Sequence, residues 1–248
     1  MKSTSKRLDQ LLVVRGLTDS LAKAQRLILA GEVLVNGQVV SKSGYSFPAD
    51  AIVEVLARPR FVGRGGSKLQ SAMDAFNIQV GGLICIDVGA ATGGFTDCLL
   101  QNGATCVYAV DVGRSLISEK LRNDSRVTVM DKVNARYLEP AMFPTPPAFA
   151  SIDVSFISLT KILPAVTRVL VPGGHIVSLI KPQFEAERHE VEKGGVVRNP
   201  AIHSRIIEAI RVFGVEKADL EWLGVHESPL KGPAGNIEFL AFWRTGMK

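Results

Sequence analysis

Leu83-Ile84-Cys85-Ile86-Asp87-Val88-Gly89-Ala90-Ala91-Thr92-Gly93-Gly94-Phe95 is the stretch whose reading decides the fold. An apolar run of strand length ends in an acid, passes through a glycine-rich turn and leaves into a helical period. Such glycines let a ligand approach the backbone closely, as in doubly wound nucleotide sites. The order is not GxGxxG, and the turn has no lysine for a phosphate, which excludes a Walker-type loop. Working outward, further apolar runs at 105–110, 126–130, 149–153 and 174–180 are expected strands. Helical periods fall between and after them, near 95–102, 118–121, 159–170 and 200–213. This βαβ rhythm predicts a parallel sheet covered on both faces. Two later runs, 218–225 and 237–243, have no helix between them and are expected to pair antiparallel at the sheet edge, for seven strands in all.

The bulk composition bounds the reading. With 248 residues, 46% of them hydrophobic and 21% charged, the chain buries a real core and is not disordered. Cys85, Cys98 and Cys106 form no CxxC pair and lie in apolar segments, so they read as reduced buried thiols with no metal site. Met1-Lys2-Ser3-Thr4-Ser5-Lys6-Arg7 does not resemble a signal peptide, and no run approaches the ~18 apolar residues of a membrane span. A cytoplasmic protein with no membrane partner is expected. The formal charge of +5 favours a polyanionic partner only weakly.

Residues 1–58 read as a separate small α+β module. Leu8, Leu11, Leu12 and Val14 begin a helical stripe that Gly16 stops. Thr18 or Ser20 can cap a second helix over 21–30, with Gly31 following it. Asn36-Gly37 is a two-residue hairpin turn inside 33–40, and 51–56 is a further strand. Eight basic residues, Lys2, Lys6, Arg7, Arg15, Lys23, Arg26, Lys42 and Arg58, face five acids, a net +3. A solvated helix face explains them as readily as a grip on RNA phosphates.

The pattern Arg7-Leu8-Asp9, Arg15-Gly16-Leu17, Ala24-Gln25-Arg26-Leu27-Ile28, Gly31 and Val35-Asn36-Gly37 resembles the small RNA-binding domain named for ribosomal protein S4. The resemblance implies RNA contacts from the helix pair, here Arg7, Arg15, Lys23 and Arg26. Residues 59–64 read as a linker, stiffened by Pro59, with Gly63-Arg64-Gly65-Gly66 as a flexible turn before a helix over 68–76. Arg60 and Arg64 are expected to meet RNA or to tune domain orientation.

Three acids end successive strands. Asp87, beside the turn, repels a pyrophosphate but suits a ligand bearing a sulfonium and an ammonium, as S-adenosylmethionine does. Asp111, followed by Val112, is placed for ribose hydroxyls, and Asp131 for an adenine amino group. With Gly89, Ala90, Thr92, Gly93, Gly94 and Phe95 of the turn, they form the expected cofactor set.

Four charged residues remain beside turns or strand ends: Lys68, Asp153, Lys181 and Glu238. Asp153 and Lys181 share the sheet edge of the cofactor turn, where active sites of open α/β sheets lie. Such residues are costly to bury unless they pair, and a crowded lysine can serve as a base for a hydroxyl proton. Taken singly, each lysine could be a surface residue and Asp153 a helix cap.

Taken together, they resemble the Lys-Asp-Lys-Glu tetrad of the FtsJ-like 2′-O-ribose methyltransferases. Ser67-Lys68-Leu69, Ile152-Asp153-Val154-Ser155-Phe156-Ile157-Ser158-Leu159, Leu179-Ile180-Lys181-Pro182-Gln183-Phe184-Glu185 and Lys231-Gly232-Pro233-Ala234-Gly235-Asn236-Ile237-Glu238 are similar to the TlyA family, historically labelled hemolysin A. The resemblance implies a Rossmann-like methyltransferase domain over 65–248. It implies S-adenosylmethionine as cofactor, cytidine 2′-hydroxyls of ribosomal RNA or ribosomal subunits as substrate, and Lys181 as base. Asp153 would also border the methionine end of the cofactor. The segment 185–200 is expected to be a mobile loop that closes on RNA. A non-catalytic RNA-binding assembly factor is the alternative; the hemolysin label finds no span or signal to support it.

Overall fold

The structure is a computed structural model, and it describes residues 5–55 and 60–247. Lys2, Arg58, Pro59 and the end of the expected 51–56 strand lie outside the described residues. The chain divides into two compact units, 1–59 and 60–248.

In the first unit, β1 (Ser5–Arg7) leads into α1 (Leu8–Val14) and α2 (Leu21–Leu29). Ser20 caps α2 by accepting from the Lys23 amide. The short strands β2 (Val33–Val35), β3 (Gln38–Val39), β4 (Ser46–Pro48) and β5 (Val53–Val55) follow. Asn36 and Gly37, with φ of 51° and 77°, make the β2–β3 turn, whose register is Val35 opposite Gln38. β5 pairs on the other side of β2. The β1–β4 pair was not expected: its strands are three residues long, without an apolar alternation to announce them. Leu8, Leu12, Ala24, Ile28 and Val33 form a core without solvent contact.

The second unit opens with α3 (Gly65–Phe76), and β6 (Ile84–Val88), α4 (Gly94–Gln101), β7 (Cys106–Asp111), α5 (Glu119–Arg122) and β8 (Val127–Asp131) follow. Next come β9 (Phe149–Ile152), α6 (Leu163–Val169), β10 (His175–Ile180), α7 (Pro182–Glu185), α8 (Pro200–Lys217), β11 (Leu220–Glu227) and β12 (Phe239–Thr245). The seven strands run in the order β11-β12-β10-β9-β6-β7-β8. All pairs from β10 to β8 are parallel, and β12 and β11 add an antiparallel edge, as expected. Apolar clusters bury both faces, one around Leu163, Ile176 and Trp243, the other around Leu69, Leu99 and Val177.

Three local readings change. The single helix expected over 159–170 is a 3₁₀ turn, Leu159–Lys161, followed by α6. Pro164 has no N–H to donate back to residue 160, so a helix restarts there instead of continuing. Residues 60–64 pack with the second unit: Phe61 is 4% exposed in its core and the Val62 amide donates to Asp97. Gly65 and Gly66 are the first turn of α3, not a flexible hinge. A Cβ on Gly66 would stand 2.3 Å from the Phe61 ring, so this glycine serves close packing.

Candidate active site

Asp153 and Lys181 are the first residues beyond β9 and β10, two adjacent parallel strands, so their side chains emerge side by side. Lys181 Nζ lies 2.6 Å from Asp153 Oδ1 and donates to Ser155 Oγ at 2.9 Å. Lys68, in the first turn of α3, pairs with Glu238, the residue before β12. That pair is buried, with Lys68 8% and Glu238 1% exposed. Both pairs line one cavity of about 690 Å³. Two lysines thus stand against two carboxylates, and Arg64 and Lys231 on the same wall leave the cavity with an excess of positive charge. Glu238 Oε1 is buried without a hydrogen-bond partner and sits where a Cβ on Gly232 would be 2.5 Å away.

The cofactor turn borders the same space. A smaller hollow of about 100 Å³ is lined by Gly63, Gly89, Ala90, Gly94 and Phe95, and it shares Arg64, Gly65, Ala91, Thr92 and Asp153 with the main cavity. Gly89 has φ of 85°, and a Cβ there would be 2.4 Å from the Asp153 carbonyl oxygen. Only glycine therefore lets β6 turn directly against the start of the Asp153 loop. Gly93, with φ of 96°, caps α4, and Phe95 is buried at 3% exposure.

The three strand-end acids differ in placement. Asp111 accepts from the amides of Ala91 at 2.9 Å and Gly113 at 2.7 Å, which holds its carboxylate against the turn. Asp131 accepts from Ser115 and pairs with Arg122 at 3.5 Å, and Val112 is open to solvent. Asp87 does not reach the cavity. It is fully buried, accepting from Thr96 and Ser151 hydroxyls at 2.7 and 3.0 Å. Burial pushes its carboxyl up to about 7, against the two hydroxyl donors, with Asp153 adding to the rise.

The structure adds residues that the sequence reading did not single out. Phe156 is 91% exposed with φ of 62°, a strained setting for an aromatic residue, and its ring stands 5.1 Å from that of Phe184. Gln183, Lys231 and Asn236 also line the cavity. Glu185 fastens the Asp153 loop from α7, accepting from the Ser158 hydroxyl at 2.6 Å and the Leu159 amide at 2.8 Å. Burial raises its carboxyl, and those two donors oppose the rise. Every one of these residues lies in or beside a quoted motif, but nothing in residue type alone marked them.

The segment expected to be mobile makes hydrogen bonds to the rest of the unit near its C-terminal end. Asn236 accepts from the Val197 amide at 2.9 Å and donates to the Gly195 carbonyl at 2.8 Å. His203 Nε2 contacts the Val197 carbonyl at 2.8 Å. Val191 and Gly195 thereby become cavity wall.

Of the cations expected to meet RNA, Arg7 pairs with buried Asp9, Arg15 donates to the carbonyls of Ala49 and Ala51, and Lys23 pairs with Asp19. Arg60 lies over the Phe61 ring at 4.9 Å. Arg26 and Arg64 are exposed, and no partner holds their guanidinium groups among the described residues.

Comparison with known proteins agrees with this geometry. Residues 61–245 match the FtsJ-like methyltransferase family and residues 6–53 the S4 domain. A Bacillus subtilis protein provisionally named rRNA methyltransferase YqxC is 47% identical, over 97% of this chain and 86% of its own length. The Mycobacterium tuberculosis 16S/23S rRNA (cytidine-2′-O)-methyltransferase TlyA is 41% identical, over 96% of this chain and 90% of its own. A solved Streptococcus thermophilus structure, provisionally designated a hemolysin, superposes with a TM-score of 0.76 at 44% identity, covering 98% of this chain and 90% of that one. With an S4 domain ahead of its methyltransferase domain, this chain belongs to the TlyA group of the FtsJ-like methyltransferase family.

Proposed function

We propose that this protein transfers a methyl group from S-adenosylmethionine to the 2′-hydroxyl of a cytidine in ribosomal RNA. The observation that carries the reading is the convergence of Lys68–Glu238 and Lys181–Asp153 on one cavity that adjoins the glycine turn. The names of the relatives supply the substrate class.

The residues present suit the cofactor. The hollow beside Gly89–Phe95 offers backbone without side chains, Asp153 faces it with a carboxylate, and Asp111 stands one hydrogen bond from the turn. Asp111 and Asp131 would hold the hydroxyl and amino groups of the adenosine, and Asp153 the cationic end. When bound, S-adenosylmethionine supplies an electrophilic methyl group on a sulfonium sulfur.

The chain's own task is to prepare the hydroxyl. Lys181, once its ammonium has lost a proton, would take the 2′-hydroxyl proton and leave the ribose oxygen nucleophilic toward the cofactor's methyl group, whose bond to sulfur would break as the O–C bond forms. Asp153 and Ser155 hold that amine at 2.6 and 2.9 Å and then stabilise the ammonium it becomes. Lys68 and Glu238 line the same cavity and would help to keep the ribose in line, so proximity and orientation supply much of the rate. Phe156 and Phe184 offer ring faces for a base turned out of its stack. Of the cations expected to meet RNA, Arg26 and Arg64, which have no partner among the described residues, are freest to meet phosphates, with Arg7, Arg15, Lys23 and Arg60 as further contacts.

The test is transfer of tritiated methyl from S-adenosylmethionine to unmodified ribosomal subunits, wild type beside Lys181→Ala. Label in RNA that disappears in the variant supports the enzyme and its base together. Cofactor binding without label in any subunit overturns the substrate and favours a non-catalytic assembly role.

A further inference from the structure

Gln183 sits two residues past Lys181, in the single turn of α7, and lines the reaction cavity together with Phe156 and Phe184. Its carboxamide makes no hydrogen bond among the described residues, and its Oε1 is buried. Most of the polar groups around it are engaged; the side chains of Arg64 and Lys231 and the Oε1 atom of Glu238, in the same cavity, have no hydrogen-bond partner among the described residues. Lys181 is held by Asp153 and Ser155, Glu185 by Ser158 and Leu159, and Asn236 by Val197 and Gly195. A buried acceptor without a donor is rare in a native protein and calls for an explanation, a ligand that brings the donor being one.

We propose that Gln183 is the residue that reads the target base, selecting cytosine over uracil. This rests on the nucleoside methylation proposed above. Of its two amide atoms, only Oε1 is enclosed without a partner. An enclosed acceptor beside an outward donor complements the N4 amino group and N3 of cytosine, in that order. With the amide turned as it is here, uracil presents a carbonyl to Oε1 and an N–H to the amide nitrogen, two repulsive contacts in place of two attractive ones. The rings of Phe156 and Phe184, tilted by 51° at 5.1 Å, supply apolar faces for a base but carry no donor or acceptor to tell one pyrimidine from the other. Of the other lining side chains, Arg64 and Lys231 offer only donors, the carboxylates only acceptors, and Asn236 is engaged, so a free donor–acceptor pair falls to Gln183. A site built to hydrogen-bond its substrate rejects an analogue that leaves the pair unmade far better than an apolar pocket does.

The experiment first locates the methylated nucleotide in ribosomal subunits by mass spectrometry of nuclease digests. Subunits carrying cytidine or uridine at that position are then compared as substrates by kcat/KM, for wild type, Gln183→Leu and Gln183→Asn. S-adenosylmethionine binding to each variant reports its fold. The expected result is a cytidine preference in wild type that falls by about tenfold or more in both variants, with cofactor affinity unchanged. Asn retracts the same amide by one methylene and keeps the test decisive if the Leu variant does not bind cofactor. A wild-type preference for cytidine that survives in a cofactor-binding variant overturns the role of Gln183 and leaves the methyltransferase reading intact. Wild-type label on no cytidine overturns that reading, and this proposal with it.

Discussion

Lys181 Nζ and Asp153 Oδ1 stand 2.6 Å apart although 28 positions separate them, because β9 and β10 are neighbours in the sheet and end at the same edge. The angles at this contact miss hydrogen-bond geometry on Oδ1, and the lysine's aligned donation goes to Ser155 at 2.9 Å. The carboxylate therefore acts on the lysine chiefly as a charge.

If Lys181 is the base, Lys181→Ala lowers methyl transfer by about 10²–10⁴-fold while S-adenosylmethionine binding changes little. Lys181→Arg restores charge and reach but does not restore the rate, since a guanidinium stays protonated in proteins. Single-turnover assays beside equilibrium cofactor titration check both outcomes; recovery in the Arg variant would show that charge alone suffices.

Lys68 and Glu238 are buried together, so removing one strands the other. Lys68→Met or Glu238→Gln alone is expected to destabilise the fold, Lys68→Met by about 3–5 kcal/mol, because it leaves an unpaired buried carboxylate. The double variant Lys68→Met with Glu238→Leu regains most of that stability and stays inactive. Urea unfolding of the singles and the double separates the pair's structural share from its functional one.

Asp87 makes stability depend on pH. Its carboxyl is raised from the ordinary 3.8 to about 7 in the folded protein, so the native state binds the proton more tightly than the unfolded chain. Stability from this group is full at pH below about 4 and is lost as pH rises through 7, on the order of 4 kcal/mol over the window. Asp87→Asn, which cannot ionise, flattens the stability profile between pH 4 and 8. A profile unchanged by the substitution would remove Asp87 as its source.

Phe156 couples strain to exposure. Phe156→Gly relieves the positive φ of 62° and gives up little burial, so stability is expected to hold or rise by up to about 1 kcal/mol. If the ring stacks on the target base, KM for ribosomal subunits rises by about tenfold, the worth of one stacked base. Thermal unfolding with steady-state kinetics on the same preparation tests the two halves separately.

Asn236 fastens the 191–197 wall from the segment that carries Glu238. Asn236→Ala frees the Val197 amide and the Gly195 carbonyl and is expected to cost about 1–3 kcal/mol. Hydrogen exchange at Val197 should quicken selectively in this variant; equal exchange in wild type and variant would mean that His203 alone holds the segment.

Much of this architecture was legible in residue order because it is written in local periodicities. The five parallel strands are short apolar runs, and the β2–β3 turn follows from Asn36-Gly37, whose residues tolerate positive φ. The four charged residues of the site stood out because each lies at a strand end or turn, where a charge needs a reason. Other placements had no local sign. Asp87 and Asp111 both end strands before loops, yet one points into the core and the other toward the turn, and in a sheet buried on both faces no polar alternation reveals which.

By itself, the sequence determined the βαβ order, the small basic module ahead of it, and the residue types available for chemistry. Tertiary structure alone decided which of them meet. The Lys68–Glu238 contact spans 170 positions, and the bonds that fasten the 191–197 wall to Asn236 span about 40. It also turned Arg7 and Arg15 toward partners inside their own unit and left the Gln183 amide without one among the described residues. The physical reason is range. Propensity and pattern act over a few residues, whereas pairing of buried charges and amides depends on strand order and register, which exist only once the whole sheet has formed.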